Sequence, residues 1–135
     1  MAEIKKTILW VEDEQELVKV YSEIVSLIPG VKVEFVGLGQ LALNKIKEME
    51  AGKEQVPDLI MLDLLLPDIN GNQILQVIRN TPKVKDVPVF VLTNYGGEQM
   101  EKEMTQNMKA EKYLIKTEWG PKKLIPLIEK KLKLK

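Results

Sequence analysis

The chain has 135 residues, 20 basic and 20 acidic, so its formal net charge is zero. That length suits one domain with a real core, and balanced charge with Arg79 as the only arginine argues against nucleic-acid binding as the main function. Cysteine and histidine are both absent, which excludes disulfides, thiolate chemistry, zinc held by Cys or His, and imidazole acid–base catalysis. No apolar run approaches membrane-spanning length, and Met1-Ala2-Glu3-Ile4-Lys5-Lys6 is not a signal peptide. We therefore expect a cytoplasmic protein that binds neither membrane nor nucleic acid. Carboxylate, lysine, threonine and tyrosine remain for chemistry, and an oxygen-rich site of that kind suits Mg2+.

Thr7-Ile8-Leu9-Trp10-Val11 is a short apolar run, read as the first strand, and it ends in Glu12-Asp13-Glu14. Leu17, Val20, Tyr21, Ile24 and Ile28 then recur at helical spacing until Pro29-Gly30 stops the helix. Val31-Lys32-Val33-Glu34-Phe35-Val36 alternates apolar and polar residues, as a strand near a sheet edge does. Leu38, Ala42, Ile46 and Met49 mark a second helix that ends near Gly52. Leu59-Ile60-Met61-Leu62 is an unbroken apolar run leading straight into Asp63, the pattern of a strand buried on both faces.

Pro67 and Asn70-Gly71 close the turn after that strand, and a third helix carries Ile74, Leu75 and Ile78 until Thr81-Pro82. Pro88-Val89-Phe90-Val91-Leu92 is another buried strand, ending at Thr93-Asn94. Gly96-Gly97 opens a fourth helix with Met100, Met104 and Met108 in one stripe, which reads either as core filling or as an adaptable partner surface. Apart from the methionines that helix is mostly polar, so it is weakly held and suited to shifting. Lys112-Tyr113-Leu114-Ile115 is the last strand, ending at Lys116. A final helix from Pro121 carries Leu124, Ile125, Ile128 and Leu132; Pro126 inside it predicts a local bend, and the lysines from Lys130 to Lys135 favour its C-terminal end.

Five strands alternating with five helices predict an α/β fold, a doubly wound parallel sheet, over residues 1–135 as one domain with no effector domain. In such sheets ligands bind beyond the carboxyl ends of the strands. The residues at those ends are Glu12 and Asp13, Asp63, Thr93 and Lys116. Each has an ordinary explanation: Glu12 and Asp13 could cap the first helix, Asp63 could cap a turn, Thr93 could be a strand residue, and Lys116 a solvated lysine. Their convergence on one edge favours a site of three carboxylates, a hydroxyl and an ammonium. Three crowded carboxylates repel one another, and a divalent cation resolves that repulsion.

These motifs resemble those of the response regulator receiver domains of bacterial two-component systems, in particular the single-domain, chemotaxis-receiver-like kind. The resemblance covers essentially the whole sequence. It implies the flavodoxin-like receiver fold with strand order 2-1-3-4-5. It makes Asp63 the phosphoacceptor within the D-x-x-x-P-x-x-x-G frame of Asp63, Pro67 and Gly71. It implies that Asp13, Asp63 and the backbone carbonyl of Leu65 bind Mg2+, with Glu12 helping through water. Thr93 and Lys116 then act on the phosphoryl group, and Thr93 with Tyr113 forms the switch. A sensor histidine kinase or phosphotransfer protein is the implied donor, an unknown downstream protein the target, and a monomer or weak dimer the implied state. The output face is that of the fourth helix, the last strand and the last helix.

The chain departs from the family where Lys116 is followed by Thr117 instead of a cis proline, with the aromatic Trp119 one place late. The bond before Thr117 is expected to be either trans, with a rearranged loop, or strained and cis. Two alternatives to a phosphorylation switch are a receiver-fold binding module that works without phosphate and a small Mg2+ phosphohydrolase. Leu65 occupies the place where haloacid-dehalogenase-type phosphatases carry a second aspartate.

Overall fold

The computed structural model describes Glu3 and residues 6–133. The remainder of the N-terminal stretch read above as no signal peptide, and Leu134 and Lys135 of the lysine-rich end, lie outside the described residues. The five strands are β1 (Lys6–Val11), β2 (Val31–Val36), β3 (Leu59–Leu62), β4 (Val89–Thr93) and β5 (Lys112–Ile115). The helices are α1 (Gln15–Ser26), α2 (Gly39–Glu50), α3 (Gly71–Arg79), α4 (Glu98–Lys102) and α5 (Pro121–Leu132). All strand pairs are parallel, in the order β2-β1-β3-β4-β5, as the alternation of elements predicts. No helix among the described residues is long and apolar enough to cross a membrane.

Residue parity divides the sheet's side chains between two cores. Leu9, Val11, Ile60, Leu62, Val89 and Val91 pack with α2, α3 and Met104 on one face. Ile8, Trp10, Leu59, Met61, Phe90, Leu92 and Leu114 pack with α1 and α5 on the other. A strand that must be apolar on both faces cannot alternate, which is why β3 and β4 read as continuous apolar runs. β2 sits at the edge, and its odd and even residues differ in exposure as its sequence alternation requires.

The fourth helix differs from its expected form. α4 is only five residues long and passes into a π-helical turn at Glu103–Asn107, which Met108 N closes onto the Glu103 carbonyl at 3.0 Å. Met104 is buried in the core, and Met100 and Met108 pack partly against it, so the stripe fills the core. So few apolar anchors hold the segment that regular α geometry gives way to the wider turn that seats Met104. At α5 the chain runs through Pro126 as one helix. Pro126 is exposed, so water can take up the carbonyl that its missing N–H leaves free.

Gly71 opens α3 against the backbone at the end of β3. A Cβ at this position would lie 2.3 Å from the Asp63 carbonyl oxygen and 2.7 Å from the Leu64 Cα. Both are backbone atoms that cannot swing aside. Gly71→Ala should therefore lower stability by about 1–3 kcal/mol, the range for overpacking a filled site, seen as a lower urea midpoint.

Tyr21 stacks on Trp10 with centroids 4.6 Å apart and planes 20° apart. Burial first, and the charge of Glu12 second, push its phenol from 10.0 up to about 12. A raised phenol keeps its proton in the folded state after the unfolded chain has lost it. The resulting stability is intact below pH 10 and drains away as pH rises towards 12. Denaturant midpoints across that range should fall less steeply in Tyr21→Phe than in wild type.

Candidate functional site

The carboxyl ends of β1, β3, β4 and β5 place four short segments side by side. The Asp63 amide donates to the Val11 carbonyl at 3.2 Å, and the Lys116 amide donates to that of Thr93 at 2.9 Å. These backbone bonds carry the ladders one residue past the strands. They bring Glu12, Asp63 and Lys116 together at the carboxyl edge of the sheet, with Thr93 at the end of β4; Glu12 is 1 % exposed, Asp63 3 % and Thr93 0 %.

The Lys116 ammonium is the centre of the cluster. Its side chain is 6 % exposed. Nζ lies 2.7 Å from Asp63 Oδ2, 2.9 Å from Glu12 Oε1 and 3.4 Å from Glu14 Oε1. Burial alone would depress this ammonium, but its hydrogen bonds to Asp63 and Glu12 outweigh burial and hold it above the ordinary lysine range. Glu12 is pushed the other way from most ion-paired carboxylates: burial raises it, and the Lys116 hydrogen bond opposes the rise only in part.

Glu12 Oε2 accepts from the Glu14 amide at 3.1 Å and from Lys116 Nζ at 3.2 Å. Glu12 Oε1 is buried and receives no directed hydrogen bond from the described residues, although Nζ stands beside it as an ion-pair partner. Among the described residues, Asp63 Oδ1 accepts only from the Leu65 amide, at 3.0 Å. Oxygens of Glu12, Glu14 and Asp63 approach within 4.8 Å of one another. This all-oxygen set, with one buried oxygen lacking a directed donor, fits a hard divalent cation.

The structure brings together Glu12, Asp63 and Lys116. Asp13 is half-buried in the same turn, but the third carboxylate of the close group is Glu14. Sequence reading placed Glu14 in the run Glu12-Asp13-Glu14 that ends the first strand but gave it no part in the site; that place in the run was the available signal. Leu65 is 49 % exposed, with its backbone beside Asp63.

Thr93 Oγ1 accepts from the Tyr95 amide at 3.2 Å, and the Tyr113 hydroxyl donates to the Tyr95 carbonyl. Tyr95 therefore joins the two expected switch residues through its own backbone. Nothing in the sequence singled it out except its place two residues after Thr93.

No cis peptide bond occurs among the described residues, so the bond before Thr117 is trans. The chain turns by donating the amides of Glu118 and Trp119 to the Ile115 carbonyl, at 2.9 and 3.1 Å. Trp119 packs against the α1–α5 core, with Lys123 Nζ 5.5 Å from its ring centroid. The rearranged loop thus still delivers Lys116 to Asp63.

Comparison with known proteins agrees with this geometry. The chain is 34 % identical over 93 residues to the DNA-binding dual master transcriptional regulator RpaA of Synechocystis, covering 68 % of this chain and 38 % of that protein. It is 29 % identical over 85 residues to the probable methanogenesis regulatory protein FilR2 of Methanothrix harundinacea, covering 63 % and 54 %. The chain thus spans about half or less of the length of these two relatives. Among solved structures it resembles the receiver domain of a LuxO repressor protein from Vibrio parahaemolyticus, with a TM-score of 0.79, 28 % identity and coverage of 96 % and 92 %. It also resembles the Mn2+-bound response regulator Rcp1, with a TM-score of 0.77, 27 % identity and coverage of 93 % and 91 %. Residues 8–129 match the family model of the response regulator receiver domain, and the chain belongs to that family.

Proposed function

We propose that this protein is a phosphorylation-controlled switch that takes a phosphoryl group from a histidine kinase or phosphotransfer protein onto Asp63. The observation that carries this reading is the buried Lys116 ammonium, 2.7 Å from Asp63 and 2.9 Å from Glu12. In the transfer a carboxylate oxygen of Asp63 forms a bond to phosphorus while the partner's nitrogen–phosphorus bond breaks. The bond's electron pair stays on the partner imidazole, and an aspartyl phosphate results. Lys116 sits where it can meet the negative charge of the arriving phosphoryl oxygens.

Glu12, Asp13, Asp63 and the Leu65 carbonyl are the groups assigned to Mg2+. The ion, when bound, offsets charge on the transferring oxygens. Thr93 is the hydroxyl that answers phosphorylation. Turning it towards the phosphoryl group gives up its bond from the Tyr95 amide, and Tyr113 is tied to the same residue. The signal then leaves by protein–protein contact through α4, β5 and α5, with the protein a monomer or weak dimer. The relatives support phosphate control over a phosphate-independent module: one structurally similar chain is the phosphorylated cyanobacterial phytochrome response regulator RcpA, at 26 % identity with a TM-score of 0.77.

With acetyl phosphate and Mg2+, wild type should gain the mass of one phosphoryl group and Asp63→Asn none. Equal labelling of the two would place the acceptor elsewhere. Millimolar Mg2+ should raise the Tm of wild type, since the ion binds the folded carboxylate arrangement and not the dispersed one. Asp13→Asn should abolish that rise without lowering the Tm measured in chelator; an undiminished rise would remove Asp13 from the ligand set.

A further inference from the structure

The acceptor loop continues from Asp63 to the start of α3 without regular structure. Within residues 65–70, a single side chain makes hydrogen bonds to another element among the described residues: Asp68. Its Oδ1 accepts from the Gly39 amide at 2.8 Å and its Oδ2 from the Gln40 amide at 2.9 Å. These are the first two residues of α2, whose N-cap is Leu38, a residue with no side-chain acceptor to offer, and whose first turn has no acidic residue. The carboxylate of a distant loop therefore satisfies two amides that the helix cannot satisfy itself.

The same turn is in close contact on both sides. A Cβ on Gly39 would lie 2.9 Å from Ile69 Cβ, and one on Gly37 would lie 3.6 Å from the Glu12 carbonyl oxygen and 3.8 Å from the Asp13 Cα. The turn between β2 and α2 is thus wedged between the Glu12-Asp13 turn and the acceptor loop. We propose that Asp68 is a positioning residue for the cation and phosphoryl site: docking the loop on α2, it sets how far Leu65 stands from the Glu12-Asp13 turn. This rests on the cation reading given above.

Asp63 itself is held by the sheet through its amide and Val11, so losing Asp68 leaves the acceptor in place and frees only the loop beyond it. The expected result is weaker cation binding in a folded protein. A carboxylate is required because two neighbouring amides need two oxygens; asparagine offers one.

The test counts free Mn2+ by electron paramagnetic resonance in titrations of wild type, Asp68→Ala, Asp68→Asn and Lys45→Met, with folding followed by circular dichroism. Mn2+ serves as a visible oxygen-seeking stand-in for Mg2+. Asp68→Ala should bind Mn2+ about tenfold more weakly, as changes just outside a ligand set commonly do, and Asp68→Asn should fall between it and wild type. Lys45→Met removes the ion pairs of α2 with Glu34 and Glu54 and should lower Tm without altering Mn2+ affinity.

Wild-type affinity in a folded Asp68→Ala overturns the proposal, as does an equal loss in Lys45→Met. Should Asp68→Ala fail to fold, Asp68→Asn decides alone: weakened binding supports the proposal and unchanged binding overturns it. A wild type that takes up no Mn2+ overturns the cation reading, and this inference with it.

Discussion

One charged contact organises the site: the buried Lys116 ammonium held by Asp63 and Glu12. Carboxylates with almost no exposure are costly to keep ionised unless a partner is held beside them. Three strands must end in register for that partner to arrive. β1 supplies Glu12, β3 supplies Asp63 and β5 supplies Lys116. β4 lies between β3 and β5, and its Thr93 carbonyl receives the Lys116 amide. The strand order therefore has chemical consequences, because placing β3 beside β1 puts Asp63 next to the acid turn.

Around this cluster the three turns at the carboxyl edge support one another. Gly71 lets α3 start against the Asp63 backbone, the β2–α2 turn runs beside the acid turn at Gly37, and Asp68 ties that turn to the loop after Asp63. These contacts tie the site together on this side. On the other side it adjoins weaker structure: an exposed segment at residues 94–99, a short α4 and a π-helical turn. Tyr95 stands between the two regions, receiving Tyr113 and donating to Thr93. A change at Thr93 thus has a short route to α4, none of whose residues is buried.

Much of this was legible in the residues alone. Unbroken apolar runs marked β3 and β4 because both faces of a central parallel strand are buried. The strand ends then named Glu12, Asp13, Asp63, Thr93 and Lys116, because topology brings such ends to one edge. The elements that departed from expectation are those where local signals are weak or opposed. The Met100, Met104 and Met108 stripe has helical spacing, yet seating Met104 in the core takes a π turn.

Periodicity, chain punctuation and composition were enough to settle the parallel α/β class, the order of elements and the residue types that could carry chemistry. Only the tertiary structure decided that Glu14 and not Asp13 completes the close carboxylate group, that the bond before Thr117 is trans, and that Asp68 closes on the amides of α2. Each depends on contacts between residues far apart in the chain or on the path of a turn. Such contacts arise from how helices and loops seat against one another once the sheet has formed, and hydrophobic spacing along a single segment carries no record of them.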